Sequence, residues 1–147
     1  MGTLQLLLVD DEARFLSTTK ILLEKRGADI LTASNGPDAL RIIDDKKVDV
    51  VILDVKMPGM DGVEVLRKIK KEHPFIEVIM LTGYASVESA VEGLKLGAFD
   101  YVMKPCDIDD IWAKVKDALA GRQAKEEKHR KSAGGIIDKR RQAVEKE

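Results

Sequence analysis

Four apolar runs in this chain each stop on a polar residue: LLLVDDE on Asp10 and Asp11, VVILDVKMPG on Asp54, VIMLTG on Thr82 and FDYVMKP on Lys104. Short continuous apolar runs are strands buried on both faces, the arrangement of a parallel sheet covered by helices. Ligands of such open sheets sit in the crevice outside the carboxyl ends of the strands. The four endings therefore converge on one place. Three carboxylates, a hydroxyl and an ammonium make a poor apolar pocket and a good place for a divalent cation and a phosphoryl group.

The segments between these runs complete the pattern. Strands are predicted at Leu4–Val9, Ala28–Ala33, Val48–Leu53, Ile76–Leu81 and Phe99–Met103, and amphipathic helices near 14–26, 37–46, 61–72, 86–96 and 108–120. Asn35-Gly36-Pro37 sets a proline at a first helical position, Asp61-x-x-Glu64 resembles a capping box, Asp107 can cap the last helix, and Gly27 and Gly97 stop two others. Strict βα alternation with right-handed crossovers predicts a doubly wound (βα)5 flavodoxin-like sandwich. Its sheet is five-stranded, parallel and of order 2-1-3-4-5.

Composition narrows the function classes. The single cysteine, Cys106, cannot form an intramolecular disulfide, nor, with two scattered histidines, a zinc site. The longest apolar runs fall far short of the ~20 residues of a membrane span, and the N-terminus lacks a signal-peptide pattern. A cytoplasmic protein without a membrane partner is expected. The net charge of −1 conceals an asymmetry: residues 122–147 carry nine Lys or Arg against five acids, so this tail is +4 and residues 1–121 are −5. The expected organisation is a domain over 1–121 followed by a basic tail over 122–147.

Residues 1–120 resemble the receiver domain of two-component response regulators, in the acidic pair Asp10-Asp11, the DVKMPGMDG run, the LTGYA run and the YVMKP run. The resemblance implies that Asp54 accepts a phosphoryl group from a sensor histidine kinase or a histidine phosphotransfer protein. It implies Mg2+ held by Asp10, Asp11, Asp54 and the backbone carbonyl of Lys56, with Asp10 acting through a coordinated water. Thr82 and Lys104 then contact the phosphoryl group, and Thr82 and Tyr101 act as the switch. It further implies a cis peptide at Lys104-Pro105 and a downstream partner on the face of the fourth helix, fifth strand and fifth helix, where Trp112 is a candidate contact. Lys56 and Tyr84 flank the path of the hydrolytic water, and the small Gly83 and Ala85 leave room for the loop to move. Such a protein assists its own phosphorylation and dephosphorylation and is not otherwise an enzyme.

Other readings fit the residues less well. An aspartyl-phosphate hydrolase places its nucleophile in D-x-D on the first strand, whereas Asp10 and Asp11 are adjacent. A flavin or nucleotide carrier on this fold has no G-x-G-x-x-G or P-loop here. Within the leading reading, a relay intermediate and a regulatory receiver module of a larger transcription activator stay open as alternatives. The tail is read as a helical continuation of 108–132, broken by Gly134-Gly135, with a short second helix from Ile136. Its role stays open between solvated appendage, homodimer contact and partner contact. Direct nucleic-acid binding is disfavoured because no helix-turn-helix core is present.

Overall fold

Each of the five apolar runs becomes a strand in the computed structural model, which describes residues 3–57, 59, 61–83 and 87–146, with backbone alone at 87, 129 and 131–146. The strands are β1 (Gln5–Val9), β2 (Asp29–Ala33), β3 (Val50–Asp54), β4 (Glu77–Thr82) and β5 (Asp100–Met103). All pair in parallel, in the order β2-β1-β3-β4-β5. The helices are α1 (Ala13–Glu24), α2 (Gly36–Asp45), α3 (Gly62–Glu72), α4 (Val87–Lys95) and α5 (Ile108–Lys146). The expected doubly wound sandwich and strand order are both present.

Period-two alternation along the strands divides the core into two layers. Leu7, Val9, Val51, Leu53, Val78 and Met80 pack with Ile43 of α2 and Val65, Leu66 and Ile69 of α3. Leu6, Leu8, Val50, Ile52, Ile79 and Leu81 pack on the other face with Leu23 of α1 and Ile111 and Val115 of α5. Each such side chain contributes about 1.5–3 kcal/mol by leaving water. The apolar stripe of α5 through Ile111 and Val115 is thus chiefly a core face, with Trp112 half-buried at its margin.

Local chemistry sets the helix ends. Asn35 Oδ1 accepts the Asp38 N–H at 2.8 Å and Asp61 Oδ1 accepts the Glu64 N–H at 3.0 Å, so both helix starts are capped, with α2 beginning at Gly36 and Pro37 second in it. Gly62, the first residue of α3, lies against the strand that ends on Asp54. A Cβ there would stand 2.4 Å from the Asp54 carbonyl oxygen, so only glycine permits this approach.

The structure departs from the sequence reading in the tail. α5 runs from Ile108 to Lys146 without the break expected at Gly134-Gly135. Glycine disfavours a helix by about 1 kcal/mol but does not bar helical dihedrals. At Gly121 its lack of a side chain has a use, since a Cβ would lie 3.2 Å from the Phe99 ring.

Two residues just beyond Gly121 pin α5 to the base of the sheet. Arg122 Nη1 bonds Asp49 Oδ1 at 2.8 Å, and Arg122 Nε donates to the Phe75 carbonyl at 3.1 Å. Lys125 Nζ bonds the fully buried Glu77 Oε1 at 2.9 Å, and Lys70 Nζ stands 3.7 Å from the same oxygen. Buried carboxylates without cations are costly, so these contacts are obligatory. Arg122→Ala is expected to lower unfolding stability by about 3 kcal/mol in urea denaturation. Arg130→Ala, at an exposed position of the same helix, is expected to change it by less than ~0.5 kcal/mol.

Candidate functional site

Asp10 directly follows β1, Asp54 ends β3, Thr82 ends β4 and Lys104 directly follows β5. Backbone bonds continue the ladder past the strands: Asp10 N–H to the Ala33 carbonyl at 3.1 Å, Val55 N–H to Leu81 at 2.9 Å and Lys104 N–H to Thr82 at 2.7 Å. The strand ends are therefore held in fixed register, and the side chains they carry meet. Carboxylate oxygens of Asp10, Asp11 and Asp54 lie within 4.8 Å of one another. Asp10 is fully buried, Asp54 is 9% exposed and Asp11 is exposed.

Lys104 sits among these acids without contacting all of them equally. Its ammonium bonds Asp10 Oδ2 at 2.6 Å and stands 3.7 Å from Glu12 Oε1. Asp10 Oδ1 accepts the Glu12 N–H at 2.9 Å, so both oxygens of Asp10 are engaged. Asp54 Oδ1 receives one long bond, 3.4 Å, from the Lys56 N–H. The Thr82 hydroxyl donates to the Gly83 carbonyl at 3.0 Å rather than to any carboxylate. The peptide between Lys104 and Pro105 is cis.

Burial is the main cause that raises the Asp54 carboxyl to about 6, followed by the charge of Asp10, with a smaller contribution from Asp11; Lys104 and the Lys56 N–H act in the opposite direction. Burial alone would lower the Lys104 ammonium. The bond to Asp10, with the charges of Asp10, Asp54 and Glu12, outweighs burial and holds it above its ordinary range. Burial also pushes the Cys106 thiol up, which leaves it a poor nucleophile.

A cation fits this donor set: three carboxylates crowd one end of the sheet, with the Lys104 ammonium committed mainly to one of them. Tyr101, on β5, is half-buried against the layer that contains Leu7 and Met80. Tyr84 and Ala85 lie outside the described residues, as does Pro58 of the DVKMPGMDG run. His73 meets Asp44 Oδ1 at 3.0 Å, and Glu72 completes a partly exposed group.

Sequence reasoning missed two features. Phe15 places its ring 4.5 Å from the Lys104 ammonium, a contact that no local pattern signals. The base cluster had a signal: Asp49 and Glu77 each stand within apolar strand runs, and an acid there requires a partner.

Comparison with known proteins supplies independent findings. Residues 6–116 match the family model of the response regulator receiver domain. The transcriptional regulatory protein ZraR of Escherichia coli K12 is 40% identical over 117 residues, 80% of this chain and 26% of that protein. The DNA-binding transcriptional regulator NtrC of the same strain is 36% identical over 119 residues, 81% of this chain and 25% of that protein. The chain thus spans about a quarter of the length of these curated relatives. A crystal structure of a response regulator receiver domain protein from Clostridium thermocellum superimposes with TM-score 0.80 at 38% identity, over 82% of this chain and 98% of that one.

The raised Asp54 carboxyl has a consequence for stability. The folded state holds that proton more tightly than the unfolded chain, so metal-free protein loses stability as pH rises from about 4 through about 6. Asp54→Asn removes the charge. In urea unfolding with a chelator at about pH 8 it is expected to be more stable than wild type, by up to about 3 kcal/mol, with the gain vanishing below about pH 4. A pH-independent difference would contradict this origin.

Proposed function

Because this chain belongs to the response regulator receiver domain family, we propose that it is a phosphorylation-controlled switch in which Asp54 accepts a phosphoryl group from a protein phosphohistidine. The observation that carries the reading is the state of Asp54: a buried strand-end carboxylate, crowded by two other acids, while the neighbouring Lys104 ammonium bonds Asp10 instead. It has an oxygen free to attack and an environment that gains from added positive charge.

In the proposed transfer, a carboxylate oxygen of Asp54 attacks phosphorus in line as the phosphorus–nitrogen bond of the phosphohistidine breaks. The electron pair leaves on the imidazole nitrogen, which takes up a proton. Asp10, Asp11, Asp54 and the Lys56 carbonyl would hold Mg2+, whose charge offsets that of the carboxylates and the phosphoryl oxygens. Lys104 moves from Asp10 to a phosphoryl oxygen, and the Thr82 hydroxyl turns from the Gly83 carbonyl to another. Later attack by water on phosphorus releases phosphate and restores the carboxylate. Turnover of external substrates has no place in this scheme.

Movement of Thr82 draws on space next to β5, where Tyr101 is only half-buried. The proposed output surface is therefore α4, β5 and α5. Val91 and Leu94 on α4 are 43% and 36% exposed, large apolar groups that suit a partner. ZraR and NtrC are by name transcriptional regulators about four times as long. They support the form of the proposal in which this domain regulates a transcription activator. The reading includes a cytoplasmic location; among the described residues no helix is long and apolar enough to cross a membrane.

Intact mass after incubation with acetyl phosphate and Mg2+ tests the proposal. Wild type is expected to gain one phosphoryl group and Asp54→Ala none, while Lys104→Ala slows labelling by about 10²-fold, the scale of a lost charge-stabilising donor. Equal labelling of wild type and Asp54→Ala would move the acceptor elsewhere.

A further inference from the structure

The ammonium of Lys104 has a third neighbour besides Asp10 and Glu12. It lies over the ring of Phe15, 4.5 Å from the centroid. Phe15 is in the first turn of α1, half-buried, and packs against the core layer beneath α1 and α5. We propose that Phe15 is a positioning residue for Lys104: its aromatic face keeps the ammonium at the rim of the site as it moves from Asp10 to a phosphoryl oxygen. The inference rests on the phosphoacceptor reading above.

The geometry explains why a ring suits this place. A lysine ammonium sits on a flexible four-carbon stem, and its side chain here is 22% exposed. Once it leaves Asp10, the carboxylate next nearest to it among the described residues is Glu12, whose side chain is 68% exposed. That route leads outward into solvent. The ring face attracts a cation through its quadrupole yet bears no net charge. It confines the ammonium without neutralising it, so the full charge remains for the incoming phosphoryl oxygens and no further ion pair has to break. A leucine would supply comparable packing without the attraction, and an acid would trap the lysine.

Isosteric changes at position 15 separate attraction from packing. Wild type is compared with Phe15→Leu, Phe15→Trp and a protein carrying 3,4,5-trifluorophenylalanine at that position, a ring of nearly the same shape with a weakened quadrupole. The first readout is the NMR shift of the Lys104 ε-methylene protons in unphosphorylated protein. It is expected to be displaced upfield by the ring in wild type and Phe15→Trp, and to return to the ordinary lysine position in Phe15→Leu. The second is the rate of acetyl phosphate labelling, expected to fall from wild type through the trifluoro ring to Phe15→Leu, by about three- to thirtyfold in all. Phe15→Trp restores it to within about twofold of wild type.

An ε-methylene shift that does not respond to Phe15→Leu overturns the proposal, as do equal labelling rates across the series in protein that labels normally. If wild type takes no label, the phosphoacceptor reading fails by itself. The methylene shift then decides alone whether Phe15 holds the ammonium.

Discussion

One ammonium stands against three clustered carboxylates at the carboxyl edge of the sheet, and the character of the site follows from that imbalance. Lys104 binds Asp10 closely, which makes burial of Asp10 tolerable and leaves Asp54, among the described residues, with a single long backbone bond. Burial and Asp10 then raise the Asp54 carboxyl to about 6. A site in this state stores unfavourable electrostatics that any cation relieves. In the proposed transfer the same imbalance would let Lys104 change partners, since a cation that takes over Asp10 would free the ammonium for new acceptors.

The rest of the fold holds that arrangement in place. β3 and β4 carry Asp54 and Thr82 at one end, and the segments at their other end carry Asp49 and Glu77, which bond Arg122 and Lys125 of α5. The strands that bear Asp54 and Thr82 are thus gripped at their base by α5. Glu77 Oε2 has no hydrogen-bond partner among the described residues, so this grip is electrostatically tight and not fully satisfied. It ties the direction of α5 to the two strands that carry Asp54 and Thr82.

Much of this was legible in the sequence because buried parallel strands announce themselves. The runs ending at Asp54 and Thr82 are nearly continuous in apolar residues, and their polar last residues mark the carboxyl edge of the sheet. Asn35 and Asp61 marked helix starts for local hydrogen-bonding reasons, and both caps form. What the sequence concealed was non-local. Phe15 reads as one more core residue, and its relation to Lys104 depends on how α1 and the end of β5 meet in space. The helix across Gly134-Gly135 was missed for a different reason, since propensity ranks residues by average cost and does not forbid a conformation.

If the acidic cluster is poised for a divalent cation, adding Mg2+ to metal-free protein raises the melting temperature of wild type and not that of Asp11→Asn. At about a hundred times its dissociation constant a ligand that binds only the folded state stabilises it by about 2.7 kcal/mol. For a chain of this length that corresponds to a rise of roughly 5–10 °C. Wild type should show such a saturable rise and Asp11→Asn little or none. A flat wild-type curve, or the same rise in both proteins, would contradict it.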